Sequence, residues 1–232
     1  MTLPILQTPT YELDLPSTNQ KVKYRPFLVK EHKVLLTLDK VDDKEVSRVI
    51  KELVDVCTFN QLKIDKLPHF DIEYIFMQLR AKSIGESVAV SITCVNCDNK
   101  YEYSFNIENL KVEKKDNISN KIMLTDNVGI EMSYPKFSDV VTLYNSKDDD
   151  AVFELVKSCI ISIFDSENYF DVTLYSKEEI DGFINSLTKA QFKKIEEFLT
   201  NTPKVVQEIE SDCPSCNHKN TSRIEGLQNF FV

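Results

Sequence analysis

Apolar and polar residues alternate from Tyr11 through Leu13 and Leu15, break at Pro16-Ser17-Thr18-Asn19, and resume at Val22 and Tyr24. A period of two on both sides of a turn-forming tetrapeptide predicts a β-hairpin over 11–27. A helical stretch follows to about Leu38. In "DDKEVSRVIKELVDVCTF" (42–59) Val46, Val49, Ile50, Leu53, Val56 and Cys57 recur at helical spacing, with Asp42 or Asp43 as the N-cap. In "LPHFDIEYIFMQLRAKSIG" (67–85) the stripe is Ile72, Ile75, Phe76 and Leu79, with Gly85 near the stop. Alternation returns in "ESVAVSITCVNCDNKYEYSFNI" and continues past the cysteines through Tyr101, Tyr103 and Phe105. Cys94 and Cys97 are therefore expected at the tip of a hairpin.

The second half runs through the same programme. "IMLTDNVGIEMSYPKF" (122–137) alternates around Asp126-Asn127, a second hairpin. "DDDAVFELVKSCIISIFD" (148–165) places Val152, Leu155, Val156, Cys159, Ile160 and Ile163 at helical spacing behind an aspartate run. Ser176 with Glu179, and Thr188 with Gln191, form two capping boxes that open helices over 176–187 and 188–199. "PKVVQEIESDCPSCNHK" then alternates up to Cys213 and Cys216.

Tyr24 and Phe27 match Tyr134 and Phe137 at an offset of 110 positions, and the cysteine pairs match at 119. The phrase Cys-x-x-Cys-(Asp/Asn)-(Asn/His)-Lys occurs at 94–100 and again at 213–219. Shared order and shared phrase point to an internal duplication. The expected fold is α+β with two pseudo-repeated halves, 1–110 and 122–232, and a connector over 111–121. Each half is a hairpin, then helices, then a strand leading to a cysteine knuckle.

Four thiolates supplied as two Cys-x-x-Cys pairs suit one tetrahedral structural zinc, here Cys94, Cys97, Cys213 and Cys216. The ion is expected to pin the two halves together. A redox pair normally opens a helix after a strand, whereas strand-like alternation follows Cys97. His218 could replace one thiolate, with a surface turn histidine as the plainer reading. Lys100 and Lys219 either offset the negative charge of the centre or are simply exposed. Cys57 and Cys159, on apolar stripes, read as core fillers.

Composition narrows the remaining classes. With 28 basic against 37 acidic residues the net charge is −9, which disfavours a nucleic-acid partner. "KVEKKDN" (111–117) reads as a solvated connector. No apolar run is long enough for a membrane helix, and the N-terminus lacks the features of a signal peptide, so no membrane partner is expected and the chain should stay in a reducing cytosol. With four glycines there is no phosphate-binding loop, and no catalytic motif or small-molecule substrate site is visible. "DSENYFDVTLYSKEE" (165–179) lacks the glycine and oxygen pattern of a calcium loop.

"TYELDLPST", "KYRPFLVKEHKVLL", "DIEYIFMQLRAKSIGE" and the ending "EGLQNFF" resemble the baseplate hub assembly protein family of T4-like contractile-tailed bacteriophages, the T4-type baseplate proteins. The resemblance spans essentially the full chain. It implies a non-enzymatic role in building the tail baseplate hub, as an assembly factor or chaperone, as a hub component, or both. Other hub and tail proteins would be the partners. The setting would be the host cytoplasm during infection and the virion tail baseplate. The zinc site rests on the cysteines alone. In the C-terminal "GLQNFFV" (226–232), Leu227, Phe230 and Phe231 are candidate partner-binding residues, with packing on their own domain as the alternative. The rival readings are a zinc-ribbon nucleic-acid-binding phage regulator and a thiol-disulfide oxidoreductase using Cys94 and Cys97. Nothing in the pattern selects one hub partner or marks a homo-oligomer surface.

Overall fold

A computed structural model describes residues 6–38, 42–115, 118–145 and 150–225. The chain divides into two compact units, Met1–Glu113 with Lys204–Val232, and Lys114–Pro203. The first unit opens with strands β1 (Tyr11–Asp14) and β2 (Lys21–Tyr24) and helices α1 (Val29–Leu35), α2 (Asp43–Cys57) and α3 (His69–Ser83). Strands β3 (Ser87–Thr93), β4 (Lys100–Asn106) and β5 (Lys111–Glu113) follow. The second unit carries β6 (Lys121–Met123), β7 (Gly129–Met132), α4 (Phe137–Asn145), α5 (Asp150–Cys159), β8 (Ile160–Phe164), β9 (Tyr169–Asp171), α6 (Lys177–Asn185) and α7 (Lys189–Thr200). Two last strands, β10 (Lys204–Asp212) and β11 (Lys219–Glu225), return the chain to the first unit. Helices and strands mix as an α+β fold.

In the first unit β1 and β2 pair antiparallel with Leu13 opposite Val22, and Leu13, Leu15, Val22 and Tyr24 turn inward. Asp42 is the cap of α2, accepting from the Glu45 N–H at 2.9 Å. Val49, Ile50, Leu53 and Cys57 are buried as the spacing predicts, whereas Val56 is exposed and Val54 takes the inward position. Helix α3 departs further from a one-sided stripe. Ile72, Ile75, Phe76 and Leu79 are buried, but so are Phe70, Asp71, Glu73, Met77, Gln78 and Ala81. A helix covered on every side must satisfy its polar groups internally. Asp71 does so by accepting from the Ser17 N–H at 3.0 Å and from the Ser17 hydroxyl. That pair ties the first hairpin's turn to the central helix.

Strands β3 and β4 form the expected hairpin, with Val88, Val90 and Ile92 buried. The lysine-rich run at 111–117, expected to be a connector, begins instead with β5. This strand pairs with β10, which pairs on its other side with β11. The division expected between 1–110 and 122–232 is thereby corrected. The backbone groups of β10 are satisfied by a strand from the first part of the chain, so 204–232 belongs with it.

The second unit is built on a four-stranded antiparallel sheet of order β6-β7-β8-β9. Its core joins Ile130 and Met132 of the sheet to Leu155, Val156 and Cys159 of α5, Ile184 of α6, and Ile195 and Phe198 of α7. The helix expected over 148–165 stops at Cys159, and Ile160–Phe164 is a strand. Three β-branched residues, Ile160, Ile161 and Ile163, favour the extended backbone, and ladders with β7 and β9 reward it. Both capping boxes form as expected, Ser176 with Glu179 and Thr188 with Gln191. Asp165 closes its own loop by accepting from the Glu167 and Asn168 N–H groups.

Candidate metal centre

Each Cys-x-x-Cys segment sits at a hairpin tip inside the first unit, and the two tips have the same backbone. The Cys94 N–H donates to the Asn99 carbonyl at 2.9 Å, and the Asp98 N–H donates to the Cys94 carbonyl at 3.0 Å. In the other tip the Cys213 N–H donates to the His218 carbonyl at 2.9 Å, and the Asn217 N–H to the Cys213 carbonyl at 2.8 Å. Asp98 and Asn217 lie in the left-handed region at φ 57° and 56°. Asp and Asn are the side-chain-bearing residues that best tolerate it. The fifth position of the repeated phrase is thus a backbone requirement of the knuckle.

The knuckles bring their sulfurs together crosswise. Cys94 Sγ lies 3.7 Å from Cys216 Sγ, and Cys97 Sγ lies 3.7 Å from Cys213 Sγ. All four sulfurs fall within 4.8 Å of one another. Exchanging the knuckles maps one pair onto the other, so the site has an approximate two-fold arrangement. A tetrahedron of sulfurs around a zinc at about 2.3 Å has edges of roughly 3.8 Å, close to the two crosswise separations. Four thiols at this spacing can hold a metal ion.

The four sulfurs come from both expected halves, 1–110 and 122–232, but they meet inside one unit rather than between two. The centre joins two hairpins of one unit. His218 is not in the ligand-competent group, and its carbonyl is engaged by the knuckle backbone. Lys100 and Lys219 are exposed. Cys57 and Cys159 are buried apart from this group, and burial pushes both thiols up to about 11.

Within the cluster the thiols are driven apart. Burial raises Cys94, but N–H groups of Asn96 and Cys97 and the Asn220 side chain pull it down to about 6. The Asn99 N–H lowers Cys97, but Cys216, burial and the other two cysteines outweigh it and push this thiol up to about 12. The Asn96 side chain and the His218 N–H hold Cys216 below the usual thiol value. Sulfurs this close share negative charge poorly without a cation among them.

Sequence reasoning missed the polar residues behind the sulfurs. Asn96 donates its N–H to Cys94 Sγ at 3.4 Å and its amide to Cys216 Sγ at 3.6 Å. Asn220, buried, accepts from the Val95 N–H and donates to the Tyr101 hydroxyl, which contacts Ser211 Oγ. The available signal was register, since Asn220 follows Lys219 as Tyr101 follows Lys100. Leu227, Phe230 and Phe231 lie outside the described residues.

A family model described as T4 bacteriophage base plate protein matches residues 8–232. No curated protein and no solved structure matches the chain.

Proposed function

We propose a function from one premise: the chain belongs to the T4 bacteriophage base plate protein family. It is a non-enzymatic assembly protein of the phage tail baseplate hub, serving as an assembly factor or as a hub component. It acts through contacts with other hub and tail proteins. The observation that carries this reading is the family match over 8–232, nearly the whole chain.

The surface is compatible with a binding role. No residue of α1 is buried, and Val29 on that helix is 73% exposed. Leu174 in the second unit is 81% exposed. The four cysteines hold one structural zinc, and a closed four-sulfur shell leaves no open coordination position for substrate. Among the described residues no helix is long and apolar enough to cross a membrane. The working site is the host cytoplasm during infection and the tail baseplate of the virion.

The test is affinity capture of the tagged chain from infected cells, followed by a search for it in mature particles. Baseplate proteins are expected to co-purify. Capture without any baseplate protein, together with normal particles assembled in the chain's absence, would overturn the proposal. Presence in or absence from mature particles separates a hub component from an assembly factor.

A further inference from the structure

We propose that Asn220 is the positioning residue of the metal centre, locking the two knuckles together so that the four sulfurs stand assembled before an ion arrives. This deepens the metal reading above and rests on it.

Asn220 is 3% exposed, and its amide is engaged on both sides. Its Oδ1 accepts from the Val95 N–H at 3.1 Å. Its Nδ2 donates to the His218 carbonyl and to the Tyr101 hydroxyl, each at 3.1 Å. Val95 lies between the two cysteines of the first knuckle, and His218 follows the second cysteine of the other. One side chain therefore holds the backbone of both ligand loops, 125 positions apart in sequence for Val95. The Tyr101 hydroxyl extends the lock to Ser211 Oγ at 2.8 Å.

The lock rides on equivalent rungs of the two hairpins. Asn220 pairs with Ser211 across β10 and β11, and Tyr101 pairs with Ile92 across β3 and β4. Each of these two residues stands four positions beyond its knuckle's last cysteine. A fixed offset between the rungs fixes the offset between the tips, and with it the 3.7 Å crosswise spacing of the sulfurs. A buried amide with bonds on both its oxygen and its nitrogen is a stiff spacer, because displacing it leaves several polar groups unpaired. None of these bonds requires a metal, so the site is organised by protein alone. Residues that orient metal ligands in this way typically change affinity by about 10–100-fold when removed.

The experiment uses the full chain. Zinc affinity is measured by competition with a chelator for the parent, Asn220→Ala and Tyr101→Phe. Asn220→Ala is expected to bind zinc about 10–100-fold more weakly while its saturated cobalt(II) spectrum remains that of tetrahedral thiolate ligation. Tyr101→Phe, which removes only the outer link, should fall in between. Backbone hydrogen exchange at Val95 in the metal-free parent gives an independent reading and is expected to show protection. Affinity of Asn220→Ala within about twofold of the parent overturns the proposal, since a positioning partner should cost far more. So does a metal-free parent in which Val95 exchanges as freely as an unstructured loop, and this result decides the matter if Asn220→Ala does not fold. A parent that binds no zinc removes the metal reading instead, and Val95 exchange then decides whether the knuckles lock unaided.

Discussion

Zinc should stabilise the first unit by an amount set by mass action. The perturbation is addition of zinc to the metal-free chain, with free ion at a thousand times the dissociation constant. Binding to the folded state alone then contributes about 4.1 kcal/mol. The centre lies within a unit of roughly 140 residues and joins sulfurs 116 and 122 positions apart. At that size each kcal/mol moves the midpoint by about 2–4 °C, so the expected rise is about 8–16 °C. The assay is thermal unfolding by circular dichroism with and without chelator, beside metal analysis that should return about one zinc per chain. The double variant Cys94→Ser with Cys213→Ser removes one ligand from each knuckle. It should melt like the metal-free parent and ignore added zinc. An equal zinc shift in parent and double variant would refute the four-sulfur assignment. So would a purified parent without zinc whose midpoint never moves.

Three further outcomes follow from the geometry. In metal-free protein near neutral pH, iodoacetamide should modify Cys216 before the more exposed Cys97, because Cys216 is the better thiolate. Cys57 and Cys159, at about 11, hold roughly one thiolate in a thousand at pH 8 and should stay unmodified in the folded chain; peptide mapping that finds Cys97 or either core thiol labelled first contradicts this. Asp71→Ala deletes two bonds from Ser17 to a buried carboxylate and should cost about 3 kcal/mol or more in urea unfolding, with Asp71→Asn recovering part; a loss below about 1 kcal/mol would show the pair to be idle. At Gly129 an added Cβ would meet the Phe164 ring and come within 2.9 Å of the Ile122 carbonyl. Gly129→Ala should therefore destabilise by about 1–3 kcal/mol, and trimming the ring with Phe164→Leu should relieve part of that loss.

Elements specified by neighbours in sequence were the legible ones. Both capping boxes, the three hairpins around Ser17, Cys94 and Asp126, and the cysteine knuckles depend on residues a few positions apart, and all are present. Elements specified by distant partners were not. A helical stripe drawn through Ile160 and Ile163 was as good locally as a strand, and only the ladder from β7 and β9 decides between them. Lys111–Glu113 looks solvated until β10 pairs with it. Burial of Asp71 and Glu73 in α3 is invisible to periodicity, because a helix enclosed on all sides has no polar face to announce. The four-cysteine group that could hold a metal ion was readable from spacing. Asn220 was not, since its bonds to Val95 and Tyr101 exist only when two hairpins meet.

The return of 204–232 to the first unit has a consequence for synthesis. Residues 114–203 form a unit of their own and can fold on the ribosome as they emerge. The first unit cannot close at that stage, because the middle strand of its three-stranded sheet and two of the four clustered thiols lie in Lys204–Val232, which is translated later. Until then β5 lacks its partner strand, and Cys94 and Cys97 lack the second knuckle. A chain terminated before Lys204 would lack both the middle strand and two of the four cysteines, and would be left as a substrate for chaperones and proteases. A metal ion held by all four thiols would therefore report that translation has passed Cys216.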